Sequence, residues 1–208
     1  LNYPSVTLSE VLQQTAEKSP NHTAFIFSDH RWSYQEFNEL ASRMANALIS
    51  LGVSLGDRVG IYLPNSPQFV IGYYGILRAG GIVVPINPML SGDDLSFIIK
   101  DSGMKIVISS SESLPILEQA KIDDLIIIST EIYDLLSPKS KLPSSSTALS
   151  LEKLIYEAPA TDPQVEIIPD SIANLQYTGG TTGRSKGAIL THANLLANAI
   201  QFRNWFKN

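Results

Sequence analysis

The stretch QYTGGTTGRSKGAIL, from Gln176 to Leu190, gathers four glycines, three threonines, one arginine and one lysine into fifteen residues. These residue types suit a polyphosphate. Glycines let the backbone turn through positive φ and approach an anion with no side chain in the way. The hydroxyls of Thr178, Thr181 and Thr182 can donate to phosphate oxygens, and Lys186 can set a point charge against terminal phosphates. A flexible turn between two strands would use the same glycines, so composition leaves both readings standing.

Spacing narrows the phosphate reading. The P-loop of the common nucleoside-triphosphatases, G-x-x-x-x-G-K-[ST], needs a glycine directly before the lysine. Here Ser185 precedes Lys186 and Gly187 follows it. The dinucleotide pattern G-x-G-x-x-G is absent too, because Gly179 and Gly180 are adjacent. What remains is a strand–loop–strand element. Its grip on an anion would come from a nest of backbone N–H groups, threonine hydroxyls and the lysine, not from a helix terminus.

The charge distribution agrees with an anion site. Every acidic residue lies at or before Asp170, and Ser171–Asn208 holds only Arg184, Lys186, Arg203 and Lys207. Within a net charge of −5, the last 38 residues carry +4 and the first 170 carry −9. Positive charge confined to a glycine-rich loop suits a compact anion. A nucleic-acid binder would show a broad basic surface, so no nucleic-acid partner is expected.

The elements that must position this loop are legible in pattern. Thr7 with Glu10, and Ser33 with Glu36, form two capping boxes that open helices. The second helix carries an apolar stripe at Phe37, Leu40, Ala41, Met44, Leu48 and Leu51, with Gly52 as its stop. TAFIFSDHRW between the two helices reads as a strand pair or a strand and turn. From Asp57 onward, apolar strands (RVGIYLP, IVVPIN, KIVISS, LIIIS) alternate with helices capped by Ser66 and Ser91 and with a short one over SLPILEQA. That alternation predicts an α/β fold, a mostly parallel sheet with helices on both faces. Gly72 and Gly75 inside one helix each cost about 1 kcal/mol against alanine, and close packing on the sheet is the expected compensation. The Ser-, Pro- and Lys-rich run from Ser137 to Ser150 reads as a surface connection. The expected organisation is residues 1–136 as α/β core, 137–170 as connection, and 171–208 as strand, phosphate loop, strand and amphipathic helix.

The chain has no cysteine, which excludes a disulfide scaffold and a thiolate metal site. His22, His30 and His192 are scattered without ligand spacing, so no metal held by protein side chains is expected. No apolar run approaches the ~20 residues of a membrane span, and no signal peptide is visible. No transmembrane segment is therefore expected. A cytoplasmic location fits, with peripheral contact at a membrane and a homodimer both compatible.

LQYTGGTTGRSKGAILTHANL resembles the signature loop of the AMP-forming adenylating enzymes, whose core is Y-T-[SG]-G-T-T-G-x-x-K-G. Tyr177, Thr178, Gly180, Thr181, Thr182, Gly183, Lys186 and Gly187 match it. Gly179, where many members have serine, and the flanking residues make the chain most similar to fatty acyl-CoA synthetases. WSYQEFNELASRMANAL and GILRAGGIVVPINP resemble two upstream family segments in the right order.

The resemblance implies a ligase that uses ATP, magnesium bound mainly through that ATP, and coenzyme A as co-substrate. A carboxylic acid, a fatty acid in the most similar members, would form acyl-AMP plus pyrophosphate and then acyl-CoA plus AMP. The loop residues Thr178, Gly179, Gly180, Thr181, Thr182, Gly183, Lys186 and Gly187 would hold the β- and γ-phosphates. Family motifs such as Y-G-x-T-E and Y-x-T-G-D do not occur, so no complete catalytic set is expected. The chain is expected to be the N-terminal part of such an enzyme, inactive by itself. Alternatives are another carboxylate adenylator, such as an aryl-CoA ligase or amino-acid-adenylating domain, or a non-catalytic nucleotide-binding module. Tyr62, Tyr73 and Tyr74 could line an acyl pocket, although core packing explains them better. Asp93 and Asp94 suit a helix's first turn. His192 is expected to bond locally near a helix start.

Overall fold

A computed structural model describes residues 2–120, 122–132, 147–179 and 185–206. The chain opens with α1 (Leu8–Lys18), the hairpin β1 (Thr23–Phe27) and β2 (His30–Ser33), and α2 (Tyr34–Ser50). Both capping boxes are complete: Thr7 and Ser33 each accept from the backbone N–H three residues on, and Glu10 and Glu36 accept in return. Alternating elements follow: β3 (Arg58–Tyr62), α3 (Pro67–Arg78), β4 (Ile82–Pro85), α4 (Gly92–Ser102), β5 (Ile106–Ser110), α5 (Leu114–Gln119) and β6 (Ile126–Thr130). β7 (Leu149–Ser150), α6 (Leu151–Glu157), β8 (Ile172–Thr178), β9 (Lys186–Thr191) and α7 (His192–Trp205) complete it.

Seven of these strands form one sheet in the order β7-β6-β5-β3-β4-β8-β9. Every neighbouring pair is parallel except β8 with β9. Met44, Leu48, Val59, Ile61, Ile71 and Ile76 pack one face, under α2 and α3. Val84, Leu95, Ile98, Val107 and Leu117 pack the other, under α4 and α5. Helices therefore cover both faces, which is why the parallel strands read as continuous apolar runs. Because β8 runs parallel to β4, its carboxyl end lies at the same sheet edge as those of β3, β5 and β6. That is the edge at which open α/β sheets bind ligands.

Four local expectations need correction or refinement. In α3, Gly72 does face the sheet, where an added Cβ would meet Ile108 Cδ1 at 3.2 Å. Gly75 instead faces α2, where a Cβ would lie 2.4 Å from Met44 Cγ and 2.5 Å from Met44 Cβ. The second glycine thus serves helix–helix approach, not helix–sheet packing. Ser91 occupies the N-cap of α4 without a side-chain capping bond, and Asp93 and Asp94 supply the negative charge in that first turn. α7 is not amphipathic. Its apolar residues lie all round the helix, only His192 and Leu196 are buried, and Phe202, Trp205 and Phe206 stand exposed. The fourth is His192, whose partner is a backbone group far away in sequence.

Much of the run Ser137–Ser150 lies outside the described residues. Its end forms β7, which pairs with β6 through Ile128↔Leu149 and Ser129↔Ser150. α6 then buries Leu151 and Ile155 in the core.

Candidate functional site

The glycine-rich loop joins two antiparallel strands, as its spacing predicts. The last register pair before the loop is Thr178↔Lys186, preceded by Tyr177↔Gly187 and Gln176↔Ala188. Cross-strand partners project to the same side of a hairpin, so the Thr178 hydroxyl and the Lys186 ammonium stand together at the loop's mouth. Both are exposed. Among the described residues, none stands within 4 Å of where a Gly179 Cβ would be. Gly180, Thr181, Thr182 and Gly183 lie outside the described residues. Gly187 has a packing reason as well: a Cβ there would sit 2.9 Å from Leu175 Cδ1 and 3.3 Å from Tyr177 Cζ.

β8 lies along β4, with Val83↔Asn174 as the register pair between them. From Leu175 onward β8 is laddered only to β9, so the two strands form an arm that carries the loop. Tyr177 ties this arm to α4: its hydroxyl donates to Asp101 Oδ2 at 2.6 Å. Burial raises the Tyr177 phenol above its ordinary range, and the hydrogen bond and charge of Asp101 add to the shift. Tyr177 therefore remains a neutral donor at physiological pH. On the other strand, Ser185 borders a groove on α4 with Asp93, Asp94, Phe97 and Lys100.

The other singled-out tyrosines are packing residues. Tyr62 is fully buried and donates to the carbonyl of Leu90. Tyr74 meets Phe37 edge-on at 5.1 Å, and burial pushes Tyr73 up to about 12. His192 is buried, and its Nδ1 accepts the backbone N–H of Leu8 at 3.3 Å. The expected local bond is thus a long-range one. Burial pushes the imidazole down to about 4, against the opposing charge of Glu10.

Among the described residues, two further cavities open at the amino edge of the sheet, away from the loop. One, of about 410 Å³, is bordered by Thr7, Glu10, Arg78 and Asp162. Its buried cation is committed: Arg78 donates to the Asn38 carbonyl and amide oxygens and to Ser42 Oγ. The other, of about 220 Å³, is bordered by Arg58, which donates to the carbonyls of Ser102, Gly103 and Gly56. Among the described residues, no three His, Cys, Asp or Glu side chains converge as a metal site, and no helix is long and apolar enough to cross a membrane. Sequence reasoning missed Asp101. No spacing rule links it to a tyrosine 76 residues away.

Comparison with known proteins covers nearly the whole chain. The profile of the family described as AMP-binding enzyme matches residues 12–208. The long-chain-fatty-acid–CoA ligase of Bacillus subtilis (strain 168) is 32% identical over 228 residues, covering 99% of this chain and 40% of that protein. The long-chain-fatty-acid–CoA ligase FadD13 of Mycobacterium tuberculosis is 35% identical over 184 residues, covering 88% of this chain and 34% of that protein. Among solved structures, the anthranilate CoA ligase AuaEII in complex with anthranoyl-AMP superposes with a TM-score of 0.82 at 26% identity. That match covers 93% of this chain and 36% of the other. The chain therefore spans well under half the length of these relatives.

Proposed function

The chain belongs to the AMP-binding enzyme family, and from that premise we propose that it is the N-terminal part of an ATP-dependent carboxylate–CoA ligase, a fatty acyl-CoA synthetase. In the proposed reaction a carboxylate oxygen attacks the α-phosphorus of ATP, the bond to the β-phosphate breaks, and pyrophosphate leaves. The thiolate of coenzyme A then attacks the acyl carbonyl, and AMP departs with the electron pair. Thioester and AMP are the products.

The hairpin loop is the grip for the β- and γ-phosphates. Lys186 lays its charge on them, and Thr178, Thr181 and Thr182 donate hydroxyls. Gly179, Gly180, Gly183 and Gly187 leave the backbone room to approach. Holding the departing pyrophosphate in this way supplies positioning and charge neutralisation, the main needs of such a transfer. The loop itself, from Thr178 to Gly187, has no carboxylate side chain, so this donor set suits phosphate. Magnesium enters the proposal on the ATP phosphates, its habit in nucleotide sites.

The observation that carries the reading is the Thr178↔Lys186 pair at the mouth of a glycine loop on the carboxyl edge of a parallel sheet. The similarity to two long-chain-fatty-acid ligases favours a fatty acid. The superposition on the anthranilate enzyme favours a second reading, an aryl-CoA ligase. ATP–pyrophosphate exchange by the full-length protein, across palmitate, octanoate, benzoate, anthranilate and amino acids, separates them. Exchange with palmitate is expected, and exchange with only the aromatic acids supports the second reading. Silence with every acid would sink both. The 208 residues alone are expected to form no acyl-CoA.

A further inference from the structure

The arm formed by β8 and β9 needs support beyond its own ladder. It flanks β4, with Val83↔Asn174 in register, and its far end, beyond that pair, carries the loop. α4 is the platform beside it, anchored in the core by Leu95, Ile98 and Ile99. Leu175 and Tyr177, alternate residues on one face of β8, both pack toward the α4 side of the core. Gly187 opposite Tyr177 leaves room for the phenol ring against the β9 backbone. The ring ends at Asp101, whose carboxylate accepts the hydroxyl at 2.6 Å. This bond lies at an exposed position, where water could satisfy both groups. Its consequence is therefore geometric: a hydrogen bond to a charged acceptor is among the stronger ones, and this one links the arm to α4.

We propose that Asp101 is a positioning residue that acts through Tyr177 to hold the Thr178–Lys186 mouth of the loop where the pyrophosphate portion of ATP binds. Asp101 does not touch the nucleotide. It sets the place of the strand from which the loop departs, and Ser185 on the return strand faces the same helix across a groove. The inference rests on the reading of the loop as a pyrophosphate grip.

The test uses ATP–pyrophosphate exchange by the full-length protein, with separate KM values for pyrophosphate and for the carboxylate. Tyr177→Phe and Asp101→Ala are each expected to raise KM for pyrophosphate about tenfold, the equivalent of ~1.4 kcal/mol. KM for the carboxylate is expected to stay within about twofold, since the acyl subsite is untouched. Asp101→Asn keeps an uncharged acceptor and is expected to fall between wild type and Asp101→Ala. The double variant is expected to be no worse than the poorer single one, because both remove the same bond. Unchanged KM for pyrophosphate in both single variants, or effects that simply add in the double variant, overturns the inference while leaving the loop reading intact. A wild type that exchanges with no carboxylate overturns the loop reading and the inference with it. Should Tyr177→Phe not fold, amide exchange at Gly179 and Lys186 in Asp101→Asn decides: faster exchange than wild type supports the tether, and equal protection overturns it.

Discussion

His192 Nδ1 accepts the backbone N–H of Leu8 at 3.3 Å, clasping the first turn of α7 to the first turn of α1 across 184 residues of chain. The imidazole is buried and held down to about 4, so it is neutral in the folded protein. Its accepting nitrogen is lost on protonation.

The clasp predicts an acid-labile contribution to stability. An unfolded histidine takes up its proton near pH 6.5, whereas the folded one resists until about 4. The unfolded chain thus binds more protons between those values. Stability is intact above about pH 6.5 and falls as pH drops through the window, by about 2 kcal/mol at pH 5. Urea unfolding at pH 7 and pH 5 should show this loss in wild type and a flatter dependence in His192→Gln. Parallel pH slopes for the two proteins would remove the burial account.

The two glycines of α3 should respond differently to alanine. Either substitution gains about 1 kcal/mol of helix propensity. At Gly72 the nearest atom to a new Cβ is the flexible end of Ile108, at 3.2 Å, and Gly72→Ala should be close to neutral. At Gly75 the obstacle is Met44 Cβ at 2.5 Å, next to the α2 backbone. Gly75→Ala should therefore lose roughly 1–3 kcal/mol through overpacking. Thermal melts of the two variants give the comparison, and equal midpoints would contradict the assigned α2–α3 approach.

Gly187→Ala should loosen the loop arm without touching the phosphate-binding side chains. The new methyl would meet Leu175 Cδ1 at 2.9 Å and Tyr177 Cζ at 3.3 Å. It would push the phenol off Asp101 at a cost of about 1–3 kcal/mol. Amide exchange along Leu175–Thr178 should quicken in the variant, and protection equal to wild type would show that the ring has another resting place.

The sequence displays local chemistry and hides long-range geometry. The capping boxes at Thr7 and Ser33 and the strand–helix alternation from Arg58 onward are short-range patterns, and the structure contains them. The spacing around Lys186 excludes two common phosphate loops and leaves a hairpin, which the Thr178↔Lys186 pair realises. The position of that hairpin on the sheet's carboxyl edge depends on β8 pairing with β4, a contact across some ninety residues that no periodicity encodes. Asp101 beneath Tyr177, Met44 against Gly75 and Leu8 against His192 were hidden for the same reason. α7 misled in the other direction: its many apolar residues suggest a buried stripe, yet they point to all sides.

The central claim is that this hairpin grips the pyrophosphate of ATP, and Lys186 tests it most directly. Its side chain is exposed at the loop's mouth, so Lys186→Ala should leave the melting temperature unchanged. ATP–pyrophosphate exchange by the full-length protein should then fall about a hundredfold, the scale of removing one preorganised donor from a group that gathers charge in the transition state, here the leaving pyrophosphate. A Lys186→Ala protein that exchanges at the wild-type rate, with the same KM for ATP and pyrophosphate, would contradict the account.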